Sequence, residues 1–342
     1  MMKIRGHQSF PHPQLSAVKA CALVGLALCC VFPVAAAGKT RLVRRFRPGQ
    51  QWVYQTAVKT EVSVSSNPEG LKALLPPMPK AITTRQQNTI TVRSIDSNGV
   101  AEVENRFDRF EFDTQLDESL PEDFRKAAES AQEEFARQLN GQTLTARYDR
   151  SGRLLGFDGA EVALSELDLP MQEAAKQTLR VLLEQMGGGA LYPDHPLKEG
   201  EEWKLSLNSP PTEGFPYTME GENTLRFVGK TRQGKIKAAI VDIRFTNLLT
   251  PSQESVRRDA AWAQLQAQGM GLEISVRGEG QGRLLVALDD GRVLQNQSTI
   301  RQTLKAEMPK AAGIKIPVNG PLSLQIDSET TIRVDQSGVP HP

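Results

Sequence analysis

Histidine is the residue type most often recruited for acid–base chemistry, and this chain places it poorly. His7 and His12 lie near the start and His341 near the end, so only His195, between Asp194 and Pro196, stands inside the chain. A general base needs an orienting partner and a nucleophile in reach, and no Ser-His-Asp set can be assembled around this linker position. Carboxylates are commoner. Asp113, Asp117, Glu118, Glu122 and Asp123 gather where a helix begins, and the amino-terminal dipole accounts for them. Asp289-Asp290-Gly291 lacks the regularly spaced oxygen ligands of a calcium loop and reads as a hairpin turn. These two aspartates are where a carboxylate-dependent hydrolase, the least favoured function, would be tested. No glycine-rich phosphate loop joins a strand to a helix. We therefore expect no catalytic residue, no metal site and no cofactor.

What remains are apolar signals. Gly49-Gln50-Gln51-Trp52 and Gly200-Glu201-Glu202-Trp203 each set a tryptophan after a glycine turn, where a large side chain anchors a core more readily than it stacks on a ligand. Two segments, Leu71 to Pro79 and Pro210 to Met219, follow these tryptophans and are unusually rich in proline and apolar residues. Exposed surface of that kind marks contact with a ligand, lipid or protein. Leu74, Leu75 and Met78 in the first and Phe215, Tyr217 and Met219 in the second are the candidate contact residues. Folded inwards, the same segments would plug the end of a sheet.

Residues 20–37 form an uncharged apolar run after Lys3, Arg5 and Lys19, and it ends in small residues. This is the layout of a secretory leader, and the expected cut lies between Ala37 and Gly38. The mature chain is then exported, to the periplasm or beyond. Cys21, Cys29 and Cys30 all leave with the leader, so the mature chain has neither disulfide nor thiol chemistry. No cysteine follows small residues at the end of the run, which argues against a lipid anchor. Lysine and arginine number 41 against 40 acidic residues. Losing three basic residues with the leader makes the mature chain slightly acidic, so nucleic acid is not an expected partner. The basic group Lys39, Arg41, Arg44, Arg45 and Arg47 is expected to be a solvated strand edge.

The chain repeats itself. Asn88-Thr89, Gly99 and Arg109-Phe110 match Asn223-Thr224, Gly234 and Arg244-Phe245 at one spacing, and Gly141-Gln142 and Gly152-Arg153 match Gly280-Gln281 and Gly291-Arg292 at another. The blocks read as hairpins around Asn98-Gly99, Gln233-Gly234, Ser151-Gly152 and Asp290-Gly291. Amphipathic helices are expected over 121–139, 170–186 and 251–268, and Gly187-Gly188-Gly189 is the candidate boundary. The expected organisation is a leader (1–37), a first β-rich repeat (38–190) and a second (191–342). The fold class is mainly β with some helix: duplicated curved antiparallel sheets, resembling a half-barrel, with a few amphipathic helices.

An export signal, a Gly-x-x-Trp strand, a threonine-rich hairpin, an amphipathic helix and a Gly-Arg-Leu or Gly-Arg-Val hairpin together resemble uncharacterised bacterial periplasmic and lipoprotein-like families. The resemblance implies export and a β-rich fold and assigns no site residue. The strand count is also similar to that of the half-barrel lipoprotein carriers, whose sheet wraps an apolar cavity. The expected function is that of an envelope protein binding a hydrophobic small molecule, a lipid or a partner protein through a curved sheet. The alternative is a structural or interaction module of an envelope assembly.

Overall fold

Strand-forming segments with alternating apolar residues, separated by glycine turns, form a single sheet here. The computed structural model describes residues 40–68, 78–116, 120–159, 180, 183, 192–206, 208, 217–251, 273–308 and 322–337. The strands are β1 (Gln51–Asn67), β2 (Ala81–Ile95), β3 (Ala101–Gln115), β4 (Thr143–Tyr148), β5 (Leu154–Asp158), β6 (Glu202–Ser206), β7 (Tyr217–Gln233), β8 (Ile236–Pro251), β9 (Glu273–Ala287), β10 (Val293–Met308) and β11 (Leu322–Ser337). Among the described residues they form one 11-stranded sheet in the order β5-β4-β3-β2-β1-β11-β10-β9-β8-β7-β6, antiparallel throughout, with β5 and β6 at its two edges. Both halves of the chain lie in this sheet, joined where β1 pairs with β11.

The two halves carry the same hydrogen bonds at the start of their ladders. Gly49 N–H donates to Val92 O and Val92 N–H to Gln50 O; Gly200 N–H donates to Phe227 O and Phe227 N–H to Glu201 O, all at 2.9–3.0 Å. Pairing also corrects the alignment of one motif. Thr89 stands opposite Arg106 and Thr224 opposite Arg244, so the ladder counterpart of Arg244-Phe245 is Arg106-Phe107, not Arg109-Phe110. The cause is ladder length: beyond this point β7 and β8 pair over three more positions than β2 and β3, which outweighs their shorter turn.

Helix α1 (Glu122–Leu139) begins after Pro121, whose φ of −52° suits a first turn. It packs Leu139 against Phe110. Asn140 then stands in for a missing strand: its side-chain amide accepts from Phe110 N–H at 2.6 Å and donates to Phe110 O at 3.3 Å. Of the helix expected over 170–186 only Arg180 and Leu183 are described, both helical, and Leu183 is fully buried. The helix expected over 251–268 lies outside the described residues except for Pro251, which ends β8. The glycine boundary also lies outside them.

Alternation gives the sheet two unlike faces. One cross-strand row reads Leu225, Ile243, Gly282, Ser298, Ile332, Val58, and the next reads Phe227, Val241, Leu284, Asn296, Val334. This is the apolar face. The other carries Arg226, Asp242, Arg283, Gln297 and Arg333 in register. The two ends of the strands also differ. Tight turns join β2–β3, β4–β5, β7–β8 and β9–β10 at one end; β1, β3, β8 and β10 run towards the other, where the longer connections leave them.

Candidate functional site

At the tight-turn end, residues 40–47 cross the apolar face. Thr40 pairs with Leu197, Leu42 enters the core formed by the second half, and Phe46 packs on that of the first. Between them Arg44, only 4% exposed, has its guanidinium 4.6 Å from the Phe46 ring and 4.9 Å from that of Trp52. This corrects the expectation of a solvated basic edge at Arg44: two aromatic faces and Asp290 draw the cation inside. Asp290 is fully buried and pairs with the Arg292 guanidinium; it also accepts from Arg292 N–H at 3.1 Å and from Gln50 Nε2 at 3.4 Å. Its carbonyl accepts from Arg45 N–H at 2.9 Å and from Arg44 Nη1 at 3.4 Å.

Two tyrosines close this cluster. Tyr54 O–H donates to Val293 O at 3.0 Å, and Tyr192 O–H donates to Gly291 O. Burial pushes the Tyr54 phenol up to about 12, with Arg44 opposing and Asp290 adding to the effect, and it raises that of Tyr192 as well. Neither aspartate of the Asp289-Asp290 pair faces an open site. Asp290 is consumed in a buried ion pair, and Asp289, half exposed, stands 4.0 Å from Arg292. The arrangement clamps the amino-terminal segment to both halves of the sheet.

Moving along the apolar face towards the long connections, the packing changes. In β9, Gly278, Gly280 and Gly282 all stand on this face, and the side chains of Asn247, Phe245 and Ser298 lie across them. A Cβ at Gly280 would come within 2.1 Å of the Phe245 ring and 2.5 Å of Thr299 O. Beyond this column one row is wholly apolar: Met219, Leu249, Val276, Leu304, Ile326 and Val64, contributed by six neighbouring strands from β7 to β1. All six are half-buried, whereas Leu225, Phe227, Val241 and Leu284 at the tight-turn end are 0% exposed.

The hollows lie on the other face. One, of about 740 Å³, is lined from six neighbouring strands, β9 to β3. Glu61, Glu279, Asp327 and Glu329 line it with Lys80, Arg277 and Arg301. A second, of about 700 Å³, is also polar. Both hollows lie on the charged face, and no residue of the apolar row lines either.

Among the sequence-derived contact residues, Leu74, Leu75 and Phe215 lie outside the described residues, as do Ala37 and Gly38 at the expected leader cut. Met78 precedes β2, Tyr217 begins β7, and Met219 belongs to the apolar row. Met78 and Tyr217 lie at one end of the sheet but far apart, for β2 and β7 are separated by β1, β11, β10, β9 and β8. Sequence reasoning missed the rest of the row because its members come together only through strand pairing. The alternation of Leu322, Leu324 and Ile326 was its visible trace. Trp52 is buried, and Trp203 packs half-buried against the core of the second half. His195 is exposed, with Nε2 3.0 Å from Glu201 Oε1. The Lys198 N–H, together with His195, holds the Glu201 carboxyl below its usual range. Among the described residues no group of three or more His, Cys, Asp or Glu is placed to hold a metal. No helix among them is long and apolar enough to cross a membrane.

No protein-family model matches the chain. No curated protein matches it either. Among solved structures, lipovitellin aligns with 86% of the chain at 13% identity and a TM-score of 0.38, and the chain spans 26% of lipovitellin's length. The outer membrane protein OprG from Pseudomonas aeruginosa aligns over 87% of the chain and 100% of its own length, at 6% identity and a TM-score of 0.21.

Proposed function

We propose that this is an exported envelope protein, directed by the leader 1–37, which binds a hydrophobic small molecule or lipid on the apolar face of its sheet at the end of the long connections. The observation that carries this reading is the row Met219, Leu249, Val276, Leu304, Ile326, Val64. Six apolar side chains in cross-strand register, none fully buried, form a strip about 24 Å long at the usual strand spacing. Apolar surface of that continuity is uncommon unless something binds it. The flanking connections 69–77, 209–216 and 309–321 are rich in proline and apolar residues and leave the strands at this same end. Leu74, Leu75 and Phe215 belong to these connections, and in this reading they contact the ligand together with Met78, Tyr217 and Met219.

Native mass spectrometry of protein purified from its own envelope, with organic extraction, tests the reading. Co-purifying lipid, or uptake of a fluorescent fatty acid that Leu304→Lys abolishes while the fold persists, is the expected result. A clean apoprotein that takes up no such probe rules it out.

A specific observation supports a second reading, docking of an envelope protein. Strand β6 pairs only with Glu222–Arg226 of β7, so among the described residues the outer edge of Tyr217–Gly221 has no strand beside it. Such an edge accepts an added strand. Cross-linking from position 220 that captured a defined envelope protein, in a preparation free of lipid, would favour it.

A further inference from the structure

The hollow of about 700 Å³ lies on the charged face of β6 to β11, away from the apolar row, and its chemistry differs from that of the neighbouring hollow. Four guanidiniums line it, those of Arg226, Arg244, Arg283 and Arg333, against two carboxylates, Glu202 and Asp242. Asp242 is held by Arg283 at 2.7 Å, and Glu202 is 4.0 Å from Arg244. Arg333 pairs with Asp335 at 2.6 Å, and Arg226 makes no ion pair among the described residues. Four guanidiniums thus meet three carboxylates, and the one positive charge left over is that of Arg226.

The register orders these cations. Arg226, Asp242, Arg283, Gln297 and Arg333 stand opposite one another on successive strands. Arg226 is two strands from Arg283, and Arg283 is two strands from Arg333, so the positive charges recur about every 10 Å across the sheet. Between them the amides of Gln281 and Gln297 and the hydroxyls of Thr299 and Thr331 supply donors and acceptors.

We propose that this trough binds an acidic polysaccharide, laid across the strands with its carboxylates on Arg226, Arg283 and Arg333. Guanidinium forks match carboxylates in geometry and charge, and the side-chain amides and hydroxyls match sugar hydroxyls. No aromatic side chain lines the hollow. It therefore has no stacking platform for the bases of a single-stranded nucleic acid. The trough is also the face of a sheet whose backbone bonds are already made, so an extended acidic peptide finds no strand edge to pair with.

The test is calorimetric titration of the purified chain with polygalacturonate, with dextran and poly-glutamate as comparisons. Polygalacturonate is expected to bind with an affinity that falls as salt is raised, and dextran not to bind. Arg226→Glu should weaken binding at least tenfold, and Arg226→Gln, which adds no repulsion, less in the same direction, with both variants melting like the parent. No binding of polygalacturonate overturns the proposal, as does equal binding of dextran or poly-glutamate. Unchanged affinity in both variants overturns it too. The apolar row takes no part in this titration, so the lipid reading stands or falls separately.

Discussion

The two ends of the apolar face differ in what completes them. At the tight-turn end, Leu42 and Leu197 pack into one core with Leu225, Phe227, Val241 and Leu284, which are 0% exposed, and a buried cluster of Arg44, Asp290 and Arg292 fastens the segment that carries Leu42. At the other end the row from Met219 to Val64 is equally apolar and equally well registered, yet every member stays half-buried. Both surfaces arise from the same alternation along the same strands. Apolar patterning alone therefore does not distinguish a core from a binding surface; the difference lies in whether the chain supplies its own cover.

The comparison breaks most severely at Asp290. Asp290→Ala leaves Arg292 buried without its carboxylate, and stability should fall by about 3–5 kcal/mol, measured by urea unfolding. Phe227→Ala, in the covered region, should cost about 3–5 kcal/mol. Leu304→Ala, in the half-buried row, should cost only about 1 kcal/mol; equal losses would mean that the row is core. Gly280→Ala, between the two regions, drives a methyl into the Phe245 ring and Thr299 O. A loss of about 1–3 kcal/mol is expected, and relief of the crowding by Phe245→Leu in the same chain would assign it to that contact.

The smallest effect is a titration. Burial raises the folded pKa of Tyr54 to about 12 from its ordinary value of 10.0. Its contribution to stability is therefore complete below the unfolded value and is lost as pH rises from 10.0 through about 12. Ultraviolet difference spectra should show Tyr54 still protonated after an unfolded control has ionised. Asp290→Ala removes a charge that raises the Tyr54 value, so its titration should move down in that variant.

Much of the fold was legible in the residues. Strands ended at Gly99, Gly152, Gly234 and Gly291 as their turn signals required, because each of these glycines adopts a positive φ. Helix α1 began after Pro121 as its spacing implied. Arg44 was misread because neighbouring basic residues look alike in a sequence, and only the positions of Trp52, Phe46 and Asp290 separate the buried one from the rest. The motif containing Arg109 was misaligned because the β7–β8 ladder runs three pairs further towards its turn than the β2–β3 ladder, and residue spacing does not show where pairing stops. The row of six was only half visible, through Met219 and the alternation in β11.

The sequence by itself determined that the chain is strand-rich, where its tight turns fall, and which residues of each strand share a side, since these follow from local backbone preference and a period of two. Tertiary structure alone decided which strands are neighbours and that β11 joins the halves into one sheet. The physical reason is that pairing partners depend on contacts between residues far apart in the chain. The pairs Arg44 with Asp290, Arg226 with Asp242 and Leu304 with Ile326 exist only once those strands have met.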